Sequence, residues 1–542
     1  MPGARDGSDP GEDGGGETSA RSPRRGLFAS HRLFIFILLP AIALRVVTML
    51  GYHWQVWFND SFEYVATAVH LQPDPTRPSG YSFLLWLLEP LHSYAAVTIV
   101  QHLMGVSIGV MIYALARHRF GVPAWIASLA AVPVLYDAFQ IQLEHLIMAD
   151  TPFAFLVTAA VTLVLWEKKP SAIRCTIAGL LLGMSAVTRS VGIPIAVVLA
   201  AYLLVQRIGW RAVAGTIIAS AIPVGGYVLW FNSWYGQLSM TQSTGVFLYS
   251  RVMAFADCNK LKLPADELAL CTTAPPKDRP VSQDYIWRAY TPLDRFPPPT
   301  FSPLTNRLGK DFATRAIETQ PLDYAKVVIK DTWRAFGWKR HRYPDAGTYD
   351  EYLFTRKPLV LPTWSVLNLG PASYYAATYT RGNPQTKVIE PFASIMRFYQ
   401  KYFYLPGTLL GFLLLIGLAG LVLKLRRLGG EILLPWAVAV ALLVVPAATA
   451  EFDYRYVLPA VPFACLAAAM VFGTGNPLGD RLAARRGRQA AATATAATAT
   501  AATATAATMA GHGSANGQPA AVDLTPQAAA PDPQPPARDV AG

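Results

Sequence analysis

The stretch Leu33-Phe-Ile-Phe-Ile-Leu-Leu-Pro-Ala-Ile-Ala-Leu-Arg-Val-Val-Thr-Met-Leu-Gly51 carries a single charged residue. A helix of roughly 20 residues spans the ~30 Å hydrocarbon core of a bilayer, so this stretch predicts a transmembrane helix. Soon after it comes Trp57-Phe-Asn-Asp-Ser-Phe-Glu-Tyr64, which places two carboxylates close to the point where the chain leaves the membrane. We therefore expect membrane helices to set the fold, and chemistry to take place at the membrane surface.

Similar apolar blocks recur along the chain of 542 residues, which is 53% hydrophobic with a mean hydropathy of +0.30. Helices are expected, because uniformly apolar blocks lack the alternation of a barrel strand. The predicted fold class is a polytopic α-helical membrane protein with about ten transmembrane helices. The predicted spans are 33–51, 93–116, 122–138, 150–166, 175–188, 193–206, 212–232, 403–423, 432–449 and 456–473.

Lys and Arg residues in the short loops predict the orientation of these spans. Six basic clusters fall on one side when ten spans are counted, at residues 21–25, 117–119, 168–174, 207–211, 424–427 and 481–488. Short cytoplasmic loops carry the excess of Lys and Arg, so this side is expected to be cytoplasmic. The outer side then holds Asp60, Arg77, and residues 138–149, 233–402 and 451–455.

The net charge of +12 follows from these basic clusters. The clusters could also hold anionic lipid headgroups at the cytoplasmic face. Nucleic acid binding is not implied.

Composition divides the chain further. The first span is too long for a signal peptide and lacks its small-residue cleavage pattern, so an uncleaved anchor is expected. The Ala-Thr repeats and the Pro-, Ala-, Gly- and Gln-rich end cannot bury enough apolar surface to offset the entropy of ordering. The predicted parts are a disordered cytoplasmic tail (1–32), an N-terminal transmembrane region (33–232) with a catalytic first outer loop (52–79), an extracytoplasmic domain (233–402) between spans seven and eight, a C-terminal transmembrane region (403–473) and a second disordered cytoplasmic tail (474–542).

Two of the four cysteines, Cys258 and Cys271, lie close together in the predicted outer segment. An oxidising compartment permits a bridge there, and we favour a disulfide over free thiols. Their spacing lacks the paired Cys or His arrangement of a zinc site.

The first outer loop offers candidate acids. Asp60, Glu63 and Tyr64 are spaced i, i+3 and i+4, so they share one face if the chain after Asn59 forms an interfacial helix. A carboxylate there could deprotonate an acceptor hydroxyl or help to hold a divalent cation, and partial burial would raise its pKa. A solvated loop acid is the alternative for Asp60.

Several arginines are candidates for binding an anion. Arg77 precedes Pro78, which disfavours the helical conformation at the preceding residue, so the guanidinium stands just ahead of a helix beginning near Ser79 and could grip a phosphate. Arg45 lies inside the first span, where a charge should face the bundle and have a partner. Arg189 and Arg455 add further outer cations around one headgroup. For each arginine, anchoring or snorkelling at the interface is the alternative.

The start of the fourth span carries another acid, Asp150. A carboxylate there suits the positive end of a helix, so a capping role and a place in the site both remain open.

Taken in order, these pieces resemble the polyprenyl-phosphate-sugar-dependent membrane glycosyltransferases of the GT-C fold, which include protein mannosyltransferases and the lipid A aminoarabinose transferase. The resemblance covers about 33–232 and 403–473. It rests on the acidic loop Asn59-Asp-Ser-Phe-Glu-Tyr64, the turn Arg77-Pro-Ser-Gly-Tyr81, the helix start Asp150-Thr-Pro152, the pair Thr188-Arg189 and the late Arg455-Tyr-Val-Leu-Pro459.

The resemblance implies roles for individual residues. Asp60 takes the place of the family's first-loop catalytic Asp, Arg77 that of a cation near the lipid phosphate, and Asp150 that of the second-loop acid. Many relatives carry an adjacent acidic pair, whereas here Ser61 follows Asp60 and the next acid is Glu63, which puts a bound metal in doubt. The candidate catalytic residues are Asp60 and Glu63, the substrate-binding candidates are Arg77, Tyr81, Tyr64, Arg45, Arg189, Arg455 and Tyr456, and Asp60 and Asp150 are the positions left open for a divalent metal.

The implied reaction is a direct displacement at the anomeric carbon that inverts it. Asp60 accepts the proton of the acceptor while the polyprenyl phosphate departs toward Arg77, helped by other arginines. The implied partners are a polyprenyl-phosphate sugar, a glycan, lipid or protein acceptor, and the bilayer, with no cofactor assigned.

A transporter or lipid flippase is the first alternative function, because charged residues within the membrane are also typical of a translocation path. A scaffold that binds envelope partners through 233–402 is the second.

Overall fold

The computed structural model describes residues 23–367 and 369–512 and divides the chain into two units, residues up to 480 and residues from 481 onward. Among the described residues, ten α-helices begin before the long inserted region 233–402. They are α1 (Pro23–Gly51), α2 (Ser61–His70), α3 (Gly80–Leu88), α4 (Tyr94–Ala114), α5 (Ala124–Tyr136), α6 (Ala138–His145), α7 (Asp150–Leu165), α8 (Ala172–Thr188), α9 (Gly192–Val205) and α10 (Trp210–Tyr235).

The inserted region and the C-terminal part are also helical. The inserted region contains α11 (Thr244–Val252), α12 (Ala265–Leu268), α13 (Asp284–Trp287), α14 (Pro303–Thr319), α15 (Pro321–Arg334), α16 (Ala346–Asp350), α17 (Ala372–Thr380) and α18 (Phe392–Tyr402). After it come α19 (Gly407–Leu423), α20 (Leu433–Thr449), α21 (Tyr454–Val457), α22 (Val461–Met470) and α23 (Pro477–His512). Two antiparallel pairs of short strands join β1 (Tyr52–His53) to β4 (Lys387–Val388) and β2 (Ser365–Val366) to β3 (Gly370–Pro371).

All ten predicted spans fall on apolar helices, but not all of these helices are long. Within the described residues, four helices are long and apolar enough to cross a membrane alone: His31–Gly51, Tyr94–Arg119, Trp210–Tyr235 and Gly430–Thr449. The count rises to six if the bent pairs α5–α6 (50°) and α18–α19 (56°) each form one span. Four shorter apolar helices account for the other predicted spans: α7, α8, α9 and Tyr454–Met470. The chain is a membrane protein by these criteria, and the number of crossings stays a prediction.

The two tails predicted to be disordered need correction within the described residues. Residues 23–32 belong to α1, and residues 477–512 form α23. Ala has the highest intrinsic helix propensity, so a repeat too poor in apolar surface to form a core can still favour a helix. Residues 1–22 and 513–542, where the rest of these predictions falls, lie outside the described residues.

Part of the inserted region forms a helical lobe with its own core. Val246 and Tyr249 on α11 pack against Leu308 and Phe312 on α14, and all four side chains are buried. The two helices cross at Gly245, where an added Cβ would lie 1.9 Å from the carbonyl oxygen of Asn306. A glycine is therefore required for this close approach.

The predicted disulfide between Cys258 and Cys271 is confirmed and closes a short loop within this lobe, over a sequence separation of 13. We expect the double variant Cys258→Ser/Cys271→Ser to lose about 3 kcal/mol of lobe stability, because the bridge restricts the unfolded chain. Limited proteolysis of residues 244–319 should show faster cleavage. The buried free thiol Cys175 provides the control, since Cys175→Ala should leave this cleavage unchanged. Equal cleavage in the double variant and the wild type would contradict the prediction.

The inserted region also packs directly on the first loop. The side chains of Gln55 and Trp57 both donate to the carbonyl oxygen of Pro384, at 2.5 and 2.9 Å. On the other side of the loop, Val56 forms a parallel bridge with Leu146. The loop that leads to Asp60 is therefore fixed between the α6–α7 connection and the inserted region.

Candidate active site

A tight turn delivers Asp60 to the start of α2. The amide of Ser61 donates to the carbonyl oxygen of Phe58 at 2.9 Å, and the Ser61 hydroxyl accepts from the Phe58 amide at 3.0 Å. Asp60 occupies the N-cap position, but its side chain makes no capping hydrogen bond. The carboxylate is thus available for other partners, and the predicted helix after Asn59 is confirmed.

Asp60 bridges two arginines from distant parts of the sequence. Its Oδ1 lies 3.0 Å from Nη1 of Arg77, and its Oδ2 lies 3.0 Å from Nη1 of Arg455. Glu63, one turn along α2, lies 3.5 Å from the same Nη1 of Arg77. Asp60 and Glu63 keep 21% and 25% of their side-chain surface exposed.

A second ion pair adjoins this bridge. Asp150, at the start of α7, pairs with Arg189, at the end of α8. The guanidinium of Arg189 lies 5.0 Å from the ring centroid of Tyr456, and that of Arg455 lies 5.1 Å from the same ring. Tyr456 therefore stands between the two arginines. Asp150 is the first residue of α7, after the N-cap residue Ala149, and its buried Oδ2 has no hydrogen-bond partner in the described part of the chain.

Most of the predicted site residues thus meet in one place. We call this group the ion cluster, and it consists of Asp60, Glu63, Tyr64, Arg77, Asp150, Arg189, Arg455 and Tyr456. Tyr64 belongs to it because the Arg77 guanidinium lies 5.8 Å from its ring centroid.

Two predicted substrate-binding residues lie outside the ion cluster. Tyr81 is buried behind Tyr64, with its hydroxyl donating to Gln101 at 2.6 Å. Arg45 forms a two-pronged pair with Glu144, with both N–O distances at 2.8 Å. The predicted partner of Arg45 is therefore confirmed, and contact of Arg45 or Tyr81 with substrate stays a prediction.

Glu144 is the centre of a separate buried network. It also bonds to His102 at 2.9 Å, and His102 contacts His145 at 3.1 Å. His145 in turn bonds to the carbonyl oxygen of Tyr52 at 2.7 Å. The network therefore ties the start of the first loop to helices α1, α4 and α6.

Removing the Glu144 charge should destabilise the protein strongly. Glu144→Gln would leave Arg45 as an unpaired buried charge, at a cost of about 3 to 5 kcal/mol. Thermal unfolding of purified protein in detergent measures this. The control is Glu431→Gln at the more exposed pair with Arg119, which should cost less than about 1 kcal/mol. Equal losses of stability in the two variants would refute the assigned importance of the network.

The two acids of the first loop differ in pKa. Burial raises the pKa of Asp60, but the guanidinium groups of Arg77 and Arg455 outweigh it and hold the pKa below its usual range. Burial raises the pKa of Glu63 to about 7, with Arg77 opposing and Asp74 adding to the shift. At neutral pH, therefore, Asp60 is ionised, while Glu63 exchanges protons readily.

Three acids that sequence reasoning did not select also lie here. Asp74 is buried, and its Oδ2 lacks a hydrogen-bond partner among the described residues. Glu351 accepts from the side-chain Nδ2 of Asn59 at 2.8 Å, and burial raises the pKa of Glu351 to about 7. Asp453 accepts from the Tyr352 hydroxyl at 2.7 Å and lies 3.4 Å from Nε of Arg455. Asp74 and Asp453 sit in polar stretches visible in the sequence, whereas nothing in the sequence around Glu351 indicates its contact with the first loop.

The donor set does not suit a divalent cation. Both positions left open for a metal, Asp60 and Asp150, are paired with guanidinium groups, so a metal ion would meet positive charge at each. No three metal-ligating side chains converge within residues 23–367 and 369–512. The reaction proposed below therefore uses no metal ion.

Neither a family model nor a curated protein matches this chain. Similar solved structures come from the glycosyltransferase group that the sequence resembles. One is the protein O-mannosyltransferase Pmt1–Pmt2 complex of S. cerevisiae bound to the sugar donor, with 16% identity over 42% of this chain and 38% of that chain and a TM-score of 0.30. Another is the Archaeoglobus fulgidus oligosaccharyltransferase, with 14% identity over 86% of this chain and 52% of that chain and a TM-score of 0.42. A third is ArnT from Cupriavidus metallidurans bound to undecaprenyl phosphate, with 14% identity over 82% of this chain and 78% of that chain and a TM-score of 0.33. The first two matches span 38% and 52% of the other chain. All three TM-scores lie below 0.5.

Proposed function

We propose that this protein is a membrane glycosyltransferase that moves a sugar from a polyprenyl-phosphate donor to an acceptor hydroxyl. The observation that carries the proposal is the bridge of Asp60 between Arg77 and Arg455, with Glu63 beside it. A leaving polyprenyl phosphate gains negative charge, and fixed guanidinium groups stabilise it through charge-assisted hydrogen bonds. A membrane protein with this cluster suits a lipid-linked donor.

The reaction is a single in-line displacement. The acceptor oxygen forms a bond to the anomeric carbon as the bond from that carbon to the phosphate oxygen breaks, and the configuration inverts. The proton of the acceptor hydroxyl passes to a carboxylate. The family resemblance implies that Asp60 takes this proton, but the pKa of about 7 makes Glu63 the better base at neutral pH.

Asp60 then has an electrostatic role. Its carboxylate stays ionised and holds Arg77 and Arg455 in position. It also places negative charge where the anomeric carbon becomes positive.

The ion cluster is proposed to face the extracytoplasmic side of a ten-span protein. This follows from the six basic clusters and the positive-inside rule. The donor would enter laterally, with its chain in the bilayer. The inserted region is proposed to be extracytoplasmic and, through Glu351 and Asn59, to form part of the wall that meets a glycan, lipid or protein acceptor.

Transfer of labelled sugar tests the proposal. Membranes that contain the protein should release polyprenyl phosphate and form labelled acceptor from at least one of a panel of polyprenyl-phosphate hexoses and pentoses, and membranes without the protein should not. If no donor is consumed, the glycosyltransferase assignment fails. Movement of an intact lipid-linked sugar across the bilayer without cleavage would instead support a transporter or flippase.

A further inference from the structure

Helix α15 of the inserted region carries an apolar stripe along one exposed face. The stripe consists of Leu322, Ile329 and Trp333, which are 75%, 66% and 72% exposed. These residues recur at i, i+7 and i+11, so they lie in line along the helix. Lys326 and Lys330 are also exposed and fall on the same side. Exposed apolar side chains in a continuous patch with a charged rim indicate a contact surface.

The opposite face of α15 is covered by the helical lobe. Tyr324 and Val327 pack against the core of the lobe. Asp331 is buried, and its Oδ2 lies 2.7 Å from Nη1 of Arg251 on α11. The apolar stripe therefore points away from the lobe.

Both ends of α15 are attached to membrane helices. Near its start, the Tyr324 hydroxyl donates to the carbonyl oxygen of Ala448 at 3.0 Å, in the last turn of α20. Just beyond its end, the carbonyl oxygen of Phe336 accepts from the Thr408 hydroxyl at 2.9 Å, in the first turn of α19. Because α19 and α20 lie in consecutive predicted spans, the start of α19 and the end of α20 lie at the same membrane surface. Helix α15 therefore runs along this surface, with the lobe on one side of it and the apolar stripe on the other.

We propose that α15 is a membrane-docking helix and that its partner is anionic phospholipid. The apolar stripe lies among the acyl chains, and its Trp ring suits the boundary between headgroups and hydrocarbon. Lys326 and Lys330 extend past the stripe to the phosphate groups of the lipids. The exposed pair of Lys326 with Asp323 is weak enough for a lipid phosphate to replace it.

Two observations favour lipid over a protein partner. The helix is joined to membrane helices at both ends, so the stripe is continuous with a surface that already faces lipid. Its two lysines complement the negative charge of phospholipid headgroups. The inference concerns contact with the bilayer and makes no use of the sugar donor, so it goes beyond the proposed function and does not depend on it.

A fluorescent label on the stripe tests the docking in full-length protein reconstituted into phospholipid nanodiscs. The dye NBD attached to Ile329→Cys should be quenched by phospholipids that carry a doxyl group high on the acyl chain, and it should be shielded from aqueous iodide. The matched control is NBD at Thr314→Cys, an exposed position on α14, which should be quenched by iodide and not by the lipid. The parent chain gives the labelling background, because its free thiols Cys175 and Cys465 are buried.

Two results would overturn the inference. Quenching of the Ile329 label by iodide and not by lipid would show that the stripe lies in water. Shielding from both quenchers would show that protein covers the stripe, either a second copy of this chain or another partner. Unfolding temperatures show whether the labelled protein is folded, and Leu322→Cys provides a second position on the stripe if Ile329→Cys is unstable.

The charge of the lipid tests the two lysines. At equal mole fractions in phosphatidylcholine nanodiscs, doxyl phosphatidylglycerol should accumulate near the Ile329 label at least about fivefold over doxyl phosphatidylcholine, the ratio that corresponds to ~1 kcal/mol from one lysine. Lys326→Gln/Lys330→Gln should abolish this preference, and high salt should reduce it. The matched control is Lys260→Gln/Lys262→Gln, which removes the same charge from exposed positions of the lobe and should keep the preference. Equal quenching by the two lipids in the labelled parent would overturn the choice of anionic lipid as the partner.

Discussion

Asp60→Asn is expected to reduce sugar transfer by about 10³-fold, because the change removes the negative charge that faces the anomeric carbon and releases the two arginines that it orients. Transfer of labelled sugar in membranes with matched protein levels measures the loss. The matched control is Asp323→Asn, which removes an exposed acid on α15 that pairs only with Lys326 among the described ion pairs, and it should transfer normally.

A second measurement separates lost chemistry from lost folding in Asp60→Asn. Arg77 and Arg455 lose their shared carboxylate, so binding of undecaprenyl phosphate should be retained or strengthened. Loss of both transfer and lipid binding would indicate a folding defect. Transfer equal to that of the wild type would remove Asp60 from the mechanism.

Glu63→Gln is expected to reduce transfer by about 10³-fold at neutral pH, within the range of general base catalysis. The raised pKa of Glu63, about 7, sets the sign of the pH dependence. Below pH 7 Glu63 is protonated and cannot accept the acceptor proton, so the wild-type rate should rise with pH and level off above 7. The remaining rate of Glu63→Gln should lack this rise.

Two other acids provide controls for the Glu63 assignment. Burial raises the pKa of both Glu351 and Glu451 to about 7. Glu451 accepts from the Tyr343 hydroxyl and the Gln283 amide, so Glu451→Gln should keep the rise in rate near pH 7. If Glu351→Gln abolishes the rise and Glu63→Gln does not, the proton passes to Glu351 and our assignment of the base is incorrect.

The positions of the membrane helices could be predicted because hydrophobicity is a local property of the sequence. The bend at Asp137 could not, since it depends on the carboxylate accepting from the amides of Phe139 and distant Leu405. Because of these contacts, the helix in the predicted span 122–138 ends at Tyr136, and α6 begins at Ala138 in a different direction. The helix over the Ala-Thr repeats was missed because the prediction considered only whether this segment could bury a hydrophobic core. That criterion takes no account of the high helix propensity of Ala.

Part of the candidate site could also be predicted, because Asp150, Arg189 and Arg455 stand at the ends of apolar blocks. The partners could not be assigned from the sequence, since Asp60 and Arg455 are 395 positions apart. Arg45 was included in the site on its charge alone, whereas the structure pairs it with Glu144. Glu351 was missed because the sequence of the inserted region carries no local pattern that indicates its contact with the first loop.

The contacts of Pro384 and β4 with the first loop limit how this protein can be redesigned. Residues 233–402 support the backbone that carries Asp60. A chimera that replaces them as one cassette with the corresponding residues of another protein would therefore lose the position of the first loop, unless residues 384–388 are kept from the parent.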